Sequence, residues 1–278
     1  MKEKRTNNVI EEANSVFMRS LKEGINKENL TALLERYFFL IKKAAYLGDA
    51  EGQYLLAVLY QDEERLKILR PNGSETINQE RAFYWYKKSC SNNHPYACHN
   101  LASFYGTRNV VRKSKKKEFA LYMKAFNLGL SEAGYAIAIG FKQEGNQVDA
   151  IEWFKKVIKI SPDDGEAILE LAKFYFNGLG IKKSYKYAYE LFLKAANSTY
   201  ITSYSKEEAI FYIGKMYFYG YYVPQSIPIA KYLIKIANKD CDHSEISEFY
   251  QHNENILKSV RAKKVLLQIT NSVPHGAK

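Results

Sequence analysis

A 278-residue chain with 46% hydrophobic and 14% aromatic residues, among them 23 Tyr and 15 Phe, can bury a core and is not a wholly disordered polypeptide. Six Pro and 15 Gly argue against an all-β fold of many tight turns, and three Cys are too few for a disulfide framework. The 41 Lys+Arg against 30 Asp+Glu leave a net charge of +11, which favours an acidic protein face, an anionic membrane surface or nucleic acid as partner; a lysine-rich coding bias alone would give the same excess.

The first residues, MKEKRTNNVIEEANSVFMRSL, carry charges on both sides of their apolar positions and no small-residue cleavage site, so they do not read as a signal peptide. An amphipathic stretch over 8–21 precedes a starting helix over 28–47. No stretch approaches the roughly 20 apolar residues that cross a bilayer. The best run, 37–41, stops at Lys42 and Lys43. The expected location is the cytoplasm.

From there on the dominant signal is internal repetition. Segments such as Phe39-Leu40-Ile41-Lys42-Lys43-Ala44-Ala45, Tyr84-Trp85-Tyr86-Lys87-Lys88-Ser89-Cys90 and Leu191-Phe192-Leu193-Lys194-Ala195-Ala196 recur, their last lysines at 43, 88, 124, 156, 194 and 235. A second signature follows the first five: an aliphatic residue, a small one and, three further on, a ring. It reads Leu56-Ala57…Tyr60, Leu101-Ala102…Tyr105, Ile137-Ala138…Phe141, Leu171-Ala172…Tyr175 and Ile213-Gly214…Tyr217. Both have the i, i+3, i+4 spacing of amphipathic helices. The small residue lets one helix approach its partner closely, and the ring fills the space beside it. A lone hairpin cannot bury its apolar face, whereas stacked neighbours can.

These residues resemble the Sel1-like repeat family, relatives of the tetratricopeptide repeats. The best match runs from Ile168-Leu169-Glu170-Leu171-Ala172 through Asn177-Gly178-Leu179-Gly180 to the segment 189–196, and the resemblance covers about 30–240. The first repeat carries a long insert around Arg70-Pro71-Asn72-Gly73, and the 138–154 unit is shortened. The resemblance implies an all-α, right-handed α-solenoid that serves as an interaction scaffold, a bacterial signalling adaptor or a toxin-neutralising immunity protein, with no cofactor. We assign 1–29 to an N-terminal helical segment, 30–240 to the solenoid, and 241–278 to a C-terminal capping helix (244–270) and tail.

In hairpin solenoids of this type the first helix of each pair lines a concave face. Two residues before each motif aliphatic stand Tyr54, His99, Tyr135, Leu169 and Phe211; five before stand Glu51, Tyr96, Glu132, Glu166 and Glu208; two after stand Val58, Ser103, Ile139, Lys173 and Lys215. Rings bury large area at small entropic cost, so this ribbon suits a protein or peptide partner. Two plainer readings stand beside it: carboxylates near a helix start complement its dipole, and the rings serve as inter-repeat packing.

Other motifs carry less. The basic run over 108–117, with Arg112, Lys113, Lys115, Lys116 and Lys117, has no interleaved rings and reads as a solvated loop with some pull on anions; nucleic-acid binding there stays an alternative. Cys90 and Cys98 match the disulfide position of the cysteine-rich, secreted members of the family. Only one repeat has the pair, and reduced core thiols are the favoured state. A hydrolase like those members, some described as β-lactamase-like, is the enzymatic alternative, although no Ser-x-x-Lys context supports it. Gly178-x-Gly180 lacks a preceding strand and reads as a turn between helices. His94 and His99 around Cys98, and Cys241-Asp242-His243 with His252, lack metal-site spacing.

Overall fold

The computed structural model describes residues 2–21, 25–69, 77–107, 110–238 and 244–258. Among these residues there are fifteen helices and no strand, only an isolated bridge between Asp164 and Tyr200. The helices are α1 (Lys2–Ser20), α2 (Lys27–Leu47), α3 (Ala50–Gln61), α4 (Glu63–Leu69), α5 (Gln79–Ser91), α6 (Pro95–Gly106), α7 (Lys115–Asn127), α8 (Ser131–Gln143), α9 (Gln147–Ile160), α10 (Gly165–Asn177), α11 (Tyr185–Asn197), α12 (Ser203–Tyr219), α13 (Ile227–Ala237), α14 (Ser244–His252) and α15 (Glu254–Lys258). The protein is all-α, built of stacked helical hairpins, and divides into two compact units, 1–137 and 138–278.

The hairpins are α3–α5, α6–α7, α8–α9, α10–α11 and α12–α13, and the two sequence signatures fall on their first and second helices. One hydrogen bond closes all five. The residue that caps the second helix donates its backbone N–H to the carbonyl of the motif ring: Asn78 to Tyr60 (2.8 Å), Ser114 to Tyr105 (3.0 Å), Asn146 to Phe141 (2.9 Å), Ser184 to Tyr175 (3.0 Å) and Ser226 to Tyr217 (2.9 Å). In the first four, the cap side chain also accepts the N–H three residues on, satisfying a donor that the helix start leaves open.

The small motif residues do what their size allows. Ala57, Ala102, Ala138 and Ala172 have no exposed surface, and a Cβ on Gly214 would lie 2.9 Å from Ile234 Cγ1 of the facing helix. The recurring lysines sit in the last turn of the second helices, at Lys88, Lys124, Lys194 and Lys235, where a cation complements the carbonyl end of the helix dipole.

Each unit has its own core. In unit 1, Phe38, Ile41, Leu56, Tyr60, Tyr86, Leu101 and Phe104 pack together, and Val9, Ala13 and Val16 of α1 join Leu40 and Ala44 of α2 in a smaller cluster. In unit 2, Ile168, Phe192, Phe211, Met216 and Ile234 form the centre, which reaches Ile246 and Leu257 of the last two helices. The insert of the first hairpin holds the extra helix α4, and its residues 70–76 lie outside the described set. The capping helix expected over 244–270 is two short helices as far as it is described, parted at Asn253; residues from 259 on, and Cys241-Asp242-His243, lie outside.

Ala172→Leu forces three further carbons into a site with no exposed surface. It is expected to cost about 1–3 kcal/mol in a urea titration, whereas Ala120→Leu on the exposed face of α7 costs far less.

Candidate partner-binding surface

In unit 1 the ribbon begins on α3 and α6. Pro95 at the first turn of α6 leaves His94 as the cap, and His94 Nδ1 accepts the Ala97 N–H at 3.2 Å. The ring hydrogen therefore sits on Nε2, 2.9 Å from Glu51 Oε2. Tyr54 stacks on the same imidazole, with centroids 4.4 Å apart, and Tyr96 lies 6.1 Å from Tyr54. The carboxylate and the phenol thus hold one cap between them. Tyr96 remains 46% exposed at the edge of the cluster.

His99, one turn beyond Tyr96, is half-buried, with its ring 5.1 Å from that of Tyr122. Its Nδ1 is covered and has no hydrogen-bond partner among the described residues. Burial pushes the His99 imidazole below the usual histidine range, against the opposing pull of the Glu132 carboxylate. Tyr122, hydrogen-bonded to Ser103, is pushed up by burial. Tyr135 on α8 is half-buried, and Glu132, one turn before it, is exposed with its Oε2 3.3 Å from the Ser131 hydroxyl.

Unit 2 uses the same columns differently. Phe211, expected to face a partner, is 0% exposed; it lies against Phe249 and Tyr212, and Leu169 is buried as well. Glu166 accepts the Thr202 N–H at 2.9 Å and the Ser205 hydroxyl at 2.6 Å, so it braces the start of α12. Lys173 bridges Glu170 (2.6 Å) and Glu208 (3.0 Å), while Glu170 also takes Lys142 at 2.5 Å. Burial works to lower the Lys173 ammonium, but the two carboxylates outweigh it and hold it above the usual lysine range. Lys215 pairs with Glu245 at 3.1 Å and lies over the rings of Tyr212 (5.0 Å) and Phe211 (5.2 Å). These positions correct the expectation of an open ribbon along the whole array. Each helix here meets the next, and the charges serve that contact. Glu170, the acidic centre of the network, belongs to none of the three columns; only its place beside Lys173 at i, i+3 could have flagged it.

The basic run is only partly a loop. Arg112 and Lys113 are exposed ahead of Ser114, but Lys115, Lys116 and Lys117 form the first turn of α7, and Lys117 lies over the Tyr105 ring at 5.1 Å. Lysines at a helix start oppose its dipole, so this turn gains from its serine cap and gives back part of that gain in charge.

Cys90 and Cys98 are joined, which corrects the expectation of two reduced thiols. The turn through Asn92 and Asn93, with Asn93 in the left-handed region at φ 62°, brings their Cα atoms to 4.7 Å. At the preceding junction the equivalent residues are Gln53 and Ala45, linked by a hydrogen bond from the Gln53 amide to the Ala45 carbonyl (3.3 Å). Among the described residues, no three or more His, Cys, Asp or Glu are grouped to hold a metal ion.

Two outcomes follow from these sites. Cys90→Ser/Cys98→Ser, or a strong reductant on the wild type, is expected to lower the unfolding free energy by about 2–3 kcal/mol through the loss of a short closed loop. For His99, a base kept neutral by burial binds its proton less readily in the fold than in the unfolded chain. Its contribution is therefore full above the ordinary value of 6.5 and is lost as the pH falls towards the lowered folded-state value. His99→Leu removes both the titration and the unpartnered nitrogen; its Tm at pH 7 should equal or exceed that of the wild type and should fall less between pH 7 and 5.

The model of the Sel1 repeat matches residues 50–94, 95–130, 125–157, 165–200 and 207–239, one match on each hairpin. Among curated proteins no sequence matches this chain. Among solved structures, a Sel1 repeat protein from Oxalobacter formigenes is similar at 21% identity and a TM-score of 0.56, over 73% of this chain and 76% of that one. A protective antigen of uropathogenic Escherichia coli that displays an SLR fold is similar at 22% identity and a TM-score of 0.57, over 86% of this chain and 55% of that one. The five matched segments cover most of the chain and coincide with its five hairpins, and on that ground it belongs to the Sel1 repeat family.

Proposed function

We propose that this chain is a non-catalytic scaffold that holds a protein or peptide partner against the first helices of unit 1, through Tyr54, Tyr96, His99 and Tyr135. The observation that carries this reading is the ring cluster of Tyr54, His94 and Tyr96. It is held in place by the Glu51 contact and the α6 cap, yet is still open at Tyr96. Rings already fixed in the free protein lose little entropy on binding, which is what an anchor for a partner needs. The corresponding positions of unit 2 are engaged in its own packing and ion pairs, so we place no partner contact on Phe211, Glu166, Glu208, Lys173 or Lys215.

An adaptor and a toxin-neutralising protein both fit such a surface, and the acidity of the partner rests only on the net charge of +11. The Cys90–Cys98 bond favours an oxidising compartment over the cytoplasm, and we place the chain in one, the periplasm being the simplest. No helix among the described residues is long and apolar enough to cross a membrane.

Capture from native extract by the immobilised protein tests the surface. Tyr54→Ala/Tyr96→Ala is expected to lower recovery of the partner at least tenfold, about two anchor contacts, while the helical signal is kept. Because Tyr54 also packs on the His94 cap, its Tm falls but stays above the capture temperature; Tyr96→Ala alone lowers recovery with Tm close to wild type. Lys173→Ala should do the reverse, with a loss on the order of 3 kcal/mol in stability and unchanged capture below its Tm. Equal capture by the tyrosine variant would remove the reading. A tight one-to-one complex that inhibits the captured protein's activity marks a neutralising role; a weaker complex that leaves it active marks an adaptor.

A further inference from the structure

Helices α2 and α5 of unit 1 carry a surface that the partner-binding reading does not use. Helix α2 presents Phe39, Lys43 and Tyr46 at i, i+4, i+7, one stripe of a helix, and all three are exposed, Phe39 by 63% and Tyr46 by 69%. Helix α5 presents Tyr84, 51% exposed, with Lys87 and Lys88 at i+3 and i+4. The two helices meet at this point: the Trp85 ring lies 5.1 Å from both the Tyr46 and the Tyr84 ring, each nearly perpendicular to it. Lys88 Nζ stands 5.7 Å from the Tyr84 centroid.

The charge next to these rings is mostly positive. One turn before Phe39 and Tyr84 stand Glu35 and Glu80, but after them come Lys42 and Lys43 on α2 and Lys87 and Lys88 on α5, with no further carboxylate up to residue 48 on the first or 117 on the second. None of Lys42, Lys43, Lys87 and Lys88 pairs with a carboxylate among the described residues. Exposed rings would be unremarkable singly; three beside one another, bordered by unpaired cations, are a face suited to an anionic partner.

The kind of cation separates the two anionic surfaces available. Protein interfaces are depleted in lysine and enriched in arginine, whose planar fork fits a fixed carboxylate. Here the two neighbouring arginines are engaged, Arg36 with Glu12 and Arg81 over the Tyr60 ring, and the cations left without a carboxylate are lysines, compact charges on flexible stems that can follow headgroups not fixed in place. Tyr and Phe beside lysine are also the residues that settle at the boundary between headgroups and acyl chains.

We propose that the face formed by Phe39, Lys43, Tyr46, Tyr84, Lys87 and Lys88 docks unit 1 on an anionic lipid surface, with the rings at the headgroup level and the lysines on the phosphates. The contact is peripheral and reversible, and it leaves the first helices open to a protein partner.

Sedimentation of the full-length protein with vesicles tests this directly. Binding is expected to phosphatidylcholine vesicles containing one quarter phosphatidylglycerol, and not to pure phosphatidylcholine, with steep weakening as salt rises. Lys43→Gln/Lys87→Gln/Lys88→Gln should lower vesicle affinity about a hundredfold, near fivefold per lysine. Tyr46→Ala/Tyr84→Ala should lower it roughly tenfold. Both variants should keep the wild-type circular dichroism spectrum and wild-type capture of the protein partner, which separates this face from the Tyr54 surface. Equal binding to neutral vesicles, anionic binding that neither variant moves, or an acidic protein captured through these residues without any vesicle binding would overturn the proposal.

Discussion

One backbone hydrogen bond sets the geometry on which the rest depends. The N–H that caps each second helix reaches back to the carbonyl of the motif ring on the first, in all five hairpins. The bond can form only if the two helices come close, and they come close because the residue three before the ring is Ala or Gly with no room around it. Ring, small residue and cap are therefore a single device. The ring fills space, its carbonyl closes the turn, and the cap side chain satisfies a helix start that would otherwise present open donors. The hairpin tolerates changes in turn length around this bond, from Glu144-Gly145 between α8 and α9 to the α4 insert of the first repeat.

With that device constant, the repeats differ in what they do with the surface it creates. In unit 2 a carboxylate at the start of one first helix braces the start of the next, as Glu166 does for Thr202 and Ser205, and a lysine further along the helix reaches across to the next carboxylate, as Lys173 does to Glu208 and Lys215 to Glu245. Rings that would line a surface become core once the following helix covers them, which is the case for Phe211 under Phe249 and Lys215. In unit 1 the comparable brace among the described residues is Glu51 on the His94 cap, with Tyr96 open beside it. Stability and recognition compete for the same columns of the repeat, and the two units resolve the competition in opposite ways.

The junction between α5 and α6 carries a further constraint. The disulfide occupies the position that Ala45 and Gln53 fill one repeat earlier with a single hydrogen bond. A covalent tie there holds α6 against α5 directly beneath the His94 cap, which is where the ring cluster is fixed. Outside that junction, the residues from Arg81 to Lys117 hold nine Lys or Arg and no carboxylate, a local excess of positive charge running from α5 to the first turn of α7.

What the sequence determined by itself was the period: small residue, ring and terminal lysine, each in phase across the chain, hence helices, hairpins and their order. Such features are local, because a helix stripe and a cap are decided by residues three or four apart. The tertiary structure alone decided which stripe residues stay exposed. Phe211 and Tyr54 occupy the same column, and nothing within their own helices distinguishes the buried ring from the half-open one; what differs is whether Phe249, some forty residues away, packs over it. The state of Cys90 and Cys98 was likewise a matter of geometry. Eight residues of spacing permit either outcome, and only the turn at Asn93 brings the two chains within bonding reach.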